Sequence, residues 1–509
     1  MEMETKSSIC PGCSIGCGLY LLQAEEGEER KIKILHRPTS PMNEGKLCKF
    51  GTDLHMYYER EVLNNSVEGK EVKHEEAIKE AKERLKGIKP DELAFIALPS
   101  TITNEEILSF ASLASEFSCE NISFGFERFL REIPEEASYI IERGLPFSEV
   151  EKASKIILFF LDPFVHYPLL ARRILKAKKN GARVIEVSFA KNERKIADEI
   201  VLVEPMKVER IKEMKEMFAD SLIIGELTPY TDSQFLALML WLTASTSSRL
   251  FLLKPFLNST GAILLGKGSG GRDLFEIIEG IERGKIKALY LLETDLVGAM
   301  LGGEEVAETI SKLDLLIEQN AFRTPLSDIA NITISSEPFF MKKGTIVNIE
   351  GRLLDIGGES EKGLQAMESM GKGRSYEEVH EKVKRKLGLS EINEFEIAIK
   401  REERKFEVAE PKIEKEEERA VEKEYFLWYR TNPFFWNGIR DKNFVAISPA
   451  AMRKLGLFRG DEVEVVQGER KERMGFKISE LSDYLILSEA KMSIGEKMLT
   501  GVEMRRAGE

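Results

Sequence analysis

The sequence predicts a multidomain α/β protein. It has a small cysteine-rich module at the N-terminus, Rossmann-like parallel sheets in the middle and a β-barrel-like domain at the C-terminus. Three observations carry this expectation. Four of the five cysteines fall within the first 48 of 509 residues. Between 93 and 318, short apolar runs alternate with amphipathic stretches at a strand–helix–strand spacing that implies parallel pairing. After a charge-dense stretch ending near 424, short β-rich runs return, separated by glycine turns.

The elements follow in order. Residues 1–60 read as the cysteine module, with Tyr20–Gln23 and Lys31–His36 as a hairpin turning at Glu25–Glu29. Residues 61–149 read as the first part of an α/β domain. An amphipathic helix spans Glu75–Lys86, a buried strand Leu93–Leu98, and a helix capped by Asn104 runs through Ala114 with Glu105 and Glu106 in its first turn. Residues 150–262 read as a Rossmann-like unit. Its strand Lys155–Leu161 leads to a basic helix Pro168–Asn180 stopped by Gly181, then to a strand Arg183–Ser188, a helix around Lys191–Asp198 and a strand Ile200–Val203.

Residues 263–359 read as the second part of the α/β domain, returning to the cysteine module. The glycine-rich run Gly266-Lys267-Gly268-Ser269-Gly270-Gly271 fits neither a Walker A pattern nor a Rossmann fingerprint. Helix Asp273–Arg283 and strands Ala288–Leu292 and Leu313–Glu318 follow. Residues 360–424 read as a charged linker and 425–509 as the barrel-like domain, with Trp428 and Trp436 in its core.

With 42% hydrophobic and 32% charged residues the composition is that of a globular protein, and its Lys/Glu bias matches hyperthermophile proteins. A net charge of −13 argues against nucleic acid or an anionic membrane surface as the main partner. No apolar signal-peptide core precedes the cysteines, and the strongest apolar runs, Ile156–Leu161 and Phe235–Ala244, fall short of the roughly 18 residues of a spanning helix. The expected location is cytoplasmic, with membrane association only through partner subunits.

The chemistry concentrates in Cys10, Cys13, Cys17 and Cys48, spaced C-x2-C-x3-C with the fourth thirty residues on. Thiolates so spaced wrap one face of a [4Fe–4S] cube while a distant fourth closes it. Gly12, Gly16 and Gly18 let the loop turn tightly around it. Zinc is the alternative, but structural zinc sites usually pair two cysteine or histidine knuckles, which this pattern lacks. Cys119 stands alone and reads as a buried structural thiol. His36 and His55 flank the fourth cysteine and read as surface or satisfied core positions. His166, beside Asp162-Pro163 at a strand's C-terminal end, is a weak ligand-binding candidate. No G-x-S-x-G elbow is present.

The cysteine pattern, with Gly45-Lys46-Leu47-Cys48, Thr103-Asn104-Glu105-Glu106, Arg172–Val187, Gly284–Leu292, Leu313–Phe322, Gly344–Arg352 and Ala446–Val466, resembles the molybdopterin/tungstopterin oxidoreductase superfamily. That superfamily includes formate dehydrogenases and the large iron–sulfur subunit of NADH:quinone oxidoreductase. The resemblance implies the family's scaffold over nearly the whole chain, one [4Fe–4S] cluster and partner redox subunits.

It also exposes departures. The position matching the catalytic metal ligand is Phe129, and Leu130 stands where formate dehydrogenases have histidine; Cys119 lies some ten residues early. Ser188-Phe189-Ala190 and Pro205-Met206-Lys207 replace the family's nucleotide-holding turns. Asp162-Pro163 and Glu293-Thr294-Asp295 keep acidic groups that repel a pyrophosphate. Phe50 replaces the basic residue that bridges cluster and pterin, with Lys49 one step early. The resemblance therefore implies an electron-transfer or scaffold subunit without a working pterin site, like the NADH:quinone oxidoreductase subunit but without that subunit's preceding [2Fe–2S] region. Two alternatives stand beside it: a catalytic Mo/W-pterin enzyme such as a formate or formylmethanofuran dehydrogenase, and a zinc-bound assembly protein.

Overall fold

The computed structural model describes residues 4–26, 29–266, 271–389, 391–413, 425–440, 442–494 and 497–508. Residues 27–28 of the first hairpin turn, 267–270 of the glycine-rich run and 414–424 of the charge run lie outside them. Among the described residues the N-terminal module is a three-stranded antiparallel sheet, Glu4–Ile9, Gly18–Glu26 and Glu29–His36. Its last two strands are the expected hairpin. The first, Glu-Thr-Lys-Ser-Ser-Ile, has a single apolar residue at its end and gives no alternating signal.

Five parallel strands form a sheet in the order Glu199–Leu202, Arg183–Ser188, Lys155–Phe159, Leu222–Glu226, Arg249–Leu253. The chain starts in the middle, winds to one side, then crosses over, which places a topological switch between Lys155–Phe159 and Leu222–Glu226. The central strands are apolar runs because helices cover both faces of a parallel sheet. Helix Pro168–Lys179 ends where expected, with Gly181 at φ +97° behind it. The helix expected around Lys191–Asp198 is absent. Asn192 N–H instead donates to Glu186 Oε1 (3.0 Å) and Asn192 Nδ2 to the Leu161 carbonyl (3.3 Å), and these bonds hold the segment as an irregular loop.

A second sheet brings Ile332–Ser335, Leu315–Asn320, Ala288–Leu292, Leu93–Ile96 and Ile122–Ser123 together in parallel, with a short antiparallel hairpin on its Ile332–Ser335 edge. Its switch falls between Leu93–Ile96 and Ala288–Leu292. Helix Asn104–Glu116 packs beside it, and its cap is Thr103 rather than Asn104. Thr103 Oγ1 accepts from Glu106 N–H (2.9 Å) while Glu106 Oε2 accepts from Thr103 N–H (2.8 Å), a reciprocal capping box.

The stretch beginning at 360 opens with two packed helices rather than a linker. Lys362–Met370 buries Leu364, Met367 and Met370, and Tyr376–Leu387 buries Val379 and Val383, all in the core of this second sheet. Their apolar residues are few but fall at helical spacing inside a charged sequence. Residues 391–413 then cross the surface, where Tyr139 Oη donates to the Arg404 carbonyl (3.1 Å).

The C-terminal domain is a closed barrel in the order Tyr425–Tyr429, Leu485–Ser488, Phe444–Ile447, Arg470–Ile478, Glu462–Gln467, Leu499–Arg506. Trp428 and Trp436 are buried, as expected. Trp428 also meets Phe189 edge-on (5.4 Å between centroids), so the barrel closes over the C-terminal ends of the five-stranded sheet. No helix among the described residues is long and apolar enough to cross a membrane.

Candidate metal centre and adjoining crevice

The cysteine loop leaves the strand Glu4–Ile9 and returns into Gly18–Glu26, so the two strands hold its ends together. Cys10 N–H donates to the Cys17 carbonyl (2.8 Å) and closes the loop. Gly16, at φ +67°, makes the turn before Cys17, and a Cβ there would press on Leu354 and Leu257. Ile349 N–H reaches the Ser14 carbonyl (2.8 Å), and Asn348 Nδ2 reaches that of Ile15 (3.0 Å). The returning segment 344–352 therefore braces the loop from outside. Cys48 precedes the single helical turn Lys49–Thr52.

All five cysteines are free thiols. Cys10, Cys13, Cys17 and Cys48 lie within electrostatic reach of one another, and each has its pKa raised. For Cys10 the causes are burial first, then Cys48; for Cys13, which is pushed up to about 12, again burial and then Cys48; for Cys17, burial, then Cys13 and Cys10. Burial also raises Cys48. Opposing these effects, backbone N–H groups point at sulfur: Gly12 at Cys10, Ile15 at Cys13, Gly51 and Phe50 at Cys48. Crowded, desolvated thiols with amides aimed at them are costly as free thiolates and well suited to an iron–sulfur cube, which supplies the missing positive charge and uses such hydrogen bonds to set its potential. No three His, Cys, Asp or Glu side chains among the described residues close on a single metal ion. A cube takes each thiolate on its own iron and does not need that convergence.

Phe50 is buried with its ring against Gly12, where a Cβ would lie 2.4 Å from Phe50 Cδ1. Lys49 turns outward, its Nζ 4.7 Å from the centre of the Phe434 ring. The flanking histidines do not join the thiols among the contacts seen. His36 Nδ1 lies 2.7 Å from the Gly45 carbonyl, and His55 sits in the short helix His55–Tyr58. Cys119 is buried in the second sheet's core, its Sγ 3.0 Å from the Leu93 carbonyl, and burial raises it to about 12.

At the switch of the five-stranded sheet lies a crevice of about 350 Å³ walled by Phe160, Phe189, Phe235 and Trp428. Switch points at strand C-termini are where open α/β sheets take ligands. His166 stands here, as its sequence position implied, with Glu226 opposite: Nδ1 to Oε2 is 3.6 Å, and neither ring nitrogen has a hydrogen-bond partner. Burial, then Arg430, holds His166 well below its usual pKa. Glu226 accepts from Tyr167 Oη (2.8 Å) and Thr431 Oγ1 (2.7 Å), and burial raises it to about 7. Asp162 caps the turn Pro163–His166 and takes Arg430 Nη1 at 3.2 Å.

At the second sheet's switch, Glu293 (φ +47°) and Glu106 share the buried Lys342, with Nζ distances of 3.3 and 2.9 Å. Phe129 is buried in an apolar core and Leu130 packs against it. Aromatic rings wall one switch point, and a buried carboxylate–lysine network occupies the other. Glu226, Tyr167 and Arg430 were not singled out from the sequence. The one available signal was a Glu closing the apolar run Leu222–Glu226.

Comparison with known proteins fits this geometry. Residues 3–59 match the Molybdopterin oxidoreductase Fe4S4 domain, which supports a [4Fe–4S] cluster in this module. The NADPH-Fe(3+) oxidoreductase subunit alpha of Geobacter sulfurreducens is 41% identical over 85 residues, 17% of this chain and 10% of that one. The F420-dependent formate dehydrogenase subunit alpha of Methanocaldococcus jannaschii is 30% identical over 199 residues, 37% of this chain and 28% of that one. These matches span less than a third of the relatives' length. The acetylene hydratase of Pelobacter acetylenicus shares the fold, with a TM-score of 0.61 at 12% identity, over 95% of this chain and 92% of that one.

Proposed function

We propose that this chain, which carries a molybdopterin oxidoreductase Fe4S4 domain on the scaffold of that superfamily, is an iron–sulfur electron-transfer subunit of a multi-subunit oxidoreductase and has no working pterin site. Cys10, Cys13, Cys17 and Cys48 are its iron ligands. The observation that carries the reading is a contrast within one molecule. The thiol loop is closed, largely buried and supplied with amide donors, while the switch-point crevice is walled by aromatic rings.

A bound [4Fe–4S] cluster supplies reversible one-electron transfer. The chain's own residues hold and insulate it. Phe50 and Leu354 exclude water from the loop, Asn348 and Ile349 fix its backbone, and the Gly12, Ile15 and Gly51 amides stabilise charge on sulfur. The relatives' designation as alpha subunits supports partner redox subunits. The test is formate oxidation with an artificial dye as acceptor, using anaerobically purified protein. The reading predicts no turnover. Formate-dependent dye reduction would establish the catalytic Mo/W-pterin alternative, which the formate dehydrogenase relatives favour.

A further inference from the structure

We infer that the chain binds a small organic monocarboxylate beside the metal centre, in a cavity that Cys48 and Arg430 line together. The binding depends on Arg430 and the cavity alone; its effect on the centre rests on the cluster reading above.

The cavity, of about 250 Å³, lies where the cysteine module meets the five-stranded sheet and the barrel. Cys48 and Phe50 line it from the module, Val165 and Pro168 from the turn and helix after Lys155–Phe159, and Arg430 and Phe434 from the barrel domain. It shares no lining residue with the aromatic crevice.

Arg430 directly follows the strand Tyr425–Tyr429, and its side chain is 1% exposed. Its backbone N–H donates to the Ser488 carbonyl (2.8 Å). In its side chain Nη1 donates to Asp162 Oδ2 (3.2 Å), and Glu489 Oε1 lies 3.9 Å from the same nitrogen. Nε and Nη2 are buried and have no acceptor among the described residues. These two nitrogens form one edge of the planar guanidinium, the edge that takes both oxygens of a carboxylate. The Trp428 ring, 5.4 Å from the guanidinium carbon, offers a π face and no acceptor atom. Buried donors left unpaired are costly. Half of a bidentate pair is therefore built into the cavity wall, and the other half comes from outside the chain.

The lining selects the class of ligand. Its cations, Lys49, Arg194, Arg430 and Lys442, outnumber its carboxylates by one, which suits a monoanion better than a phosphate dianion. Those carboxylates are already matched: Asp162 by Arg430, Glu489 by Lys442 and Glu193 by Lys477. Phe50, Val165, Pro168 and Phe434 make the rest of the wall apolar, which suits a short hydrocarbon body behind the carboxylate. Arg194 is exposed, so the cavity opens to solvent on its side.

The test is calorimetric titration of the anaerobically purified full chain with acetate, propionate and butyrate, with butyramide and inorganic phosphate as comparators. The carboxylates bind at a single site, and each added methylene tightens binding about fourfold, the factor for one buried CH₂. Butyramide, which has the shape without the charge, binds roughly tenfold more weakly or worse. Arg430→Lys keeps the charge but not the fork and weakens butyrate by roughly tenfold or more. Because Arg430 is buried, a second variant guards against misfolding: Val165→Trp, at a half-buried position, leaves Arg430 and Asp162 in place, fills the cavity and abolishes butyrate binding. Since Cys48 lines the same cavity, butyrate also lowers the midpoint potential of the iron-loaded chain, its charge opposing the incoming electron. No heat from any carboxylate (water alone on the Arg430 edge), equal binding of butyramide, phosphate taking butyrate's place, or wild-type binding by Val165→Trp overturns the inference alone. Butyrate that binds an iron-loaded chain without moving its potential sits elsewhere and overturns it too. An iron-free chain that still binds butyrate overturns the cluster reading and leaves this site standing.

Discussion

Asn437 of the barrel domain donates from Nδ2 to the carbonyl of Gly12, 3.2 Å away and 425 residues back in the chain. The same Nδ2 reaches the Pro433 carbonyl (2.7 Å), and Oδ1 accepts from Ser100 Oγ (3.1 Å). One buried amide thus ties the cysteine loop, the second sheet's first crossover and the barrel together. Buried amides that satisfy three partners leave all of them unpaired when removed.

Asn437→Ala therefore costs about 1–3 kcal/mol of stability and loosens the loop at Gly12. The expected outcome is a lower thermal midpoint and faster bleaching of the visible absorbance in air. A variant that bleaches at the wild-type rate would show that the barrel does not brace the metal centre.

Replacing any one of Cys10, Cys13, Cys17 or Cys48 with Ser removes one iron ligand, and iron content falls well below that of the wild type after anaerobic purification. Cys119→Ala leaves iron content unchanged, because its Sγ is spent on the Leu93 carbonyl in a separate core. Its cost is lost packing and one weak thiol hydrogen bond, about 1 kcal/mol.

Gly12→Ala puts a Cβ 2.4 Å from the Phe50 ring, closer than the ring can accept without moving. Iron incorporation drops. The double variant Gly12→Ala/Phe50→Leu recovers part of it by opening the contested space, whereas Phe50→Leu alone leaves a cavity worth about 1–2 kcal/mol. Absence of any recovery in the double variant would mean that Gly12 is needed for its backbone and not for the room it leaves.

Glu186 is buried, with Asn192 N–H donating to its Oε1 (3.0 Å), and burial, reinforced by the Asp162 charge, raises its pKa to about 7. Its folded-state pKa lies above the unfolded value. Its proton thus favours the folded state below the unfolded pKa, and that contribution is lost as pH rises through about 7. Glu186→Gln keeps the acceptor and abolishes the titration. Relative to wild type, the variant gains stability between pH 5.5 and 8.5, by an amount on the order of 1–3 kcal/mol. Thermal midpoints measured across that range check the sign; a gap that does not widen with pH contradicts it.

The parallel strands Arg183–Ser188 and Ala288–Leu292 and the barrel's β-rich runs were legible because buried strands are continuous apolar runs bounded by turn residues. The helices Lys362–Met370 and Tyr376–Leu387 were not, because a narrow apolar stripe such as Val379/Val383 is hidden in a charge-dense average. The Lys191–Asp198 segment carries helix-forming residues, but Asn192 and Asp198 spend their polar groups on Glu186, Leu161 and Val184. In the site, the cysteine spacing is a local code and was readable. Glu226, Tyr167, Thr431 and Arg430 come from three distant segments, and only the fold brings them together. His166 was readable because it follows a strand's C-terminal end, where the crevice opens.

The central claim is a cluster-bearing chain without pterin metal. It is tested most directly by elemental analysis of anaerobically purified protein for iron, zinc, molybdenum and tungsten, with a visible spectrum beside it. The account predicts about four irons per chain, a broad absorbance lost on reduction, and no stoichiometric molybdenum or tungsten. One molybdenum or tungsten per chain would contradict it and make this a working pterin enzyme; stoichiometric zinc with a featureless spectrum would contradict the iron–sulfur centre itself.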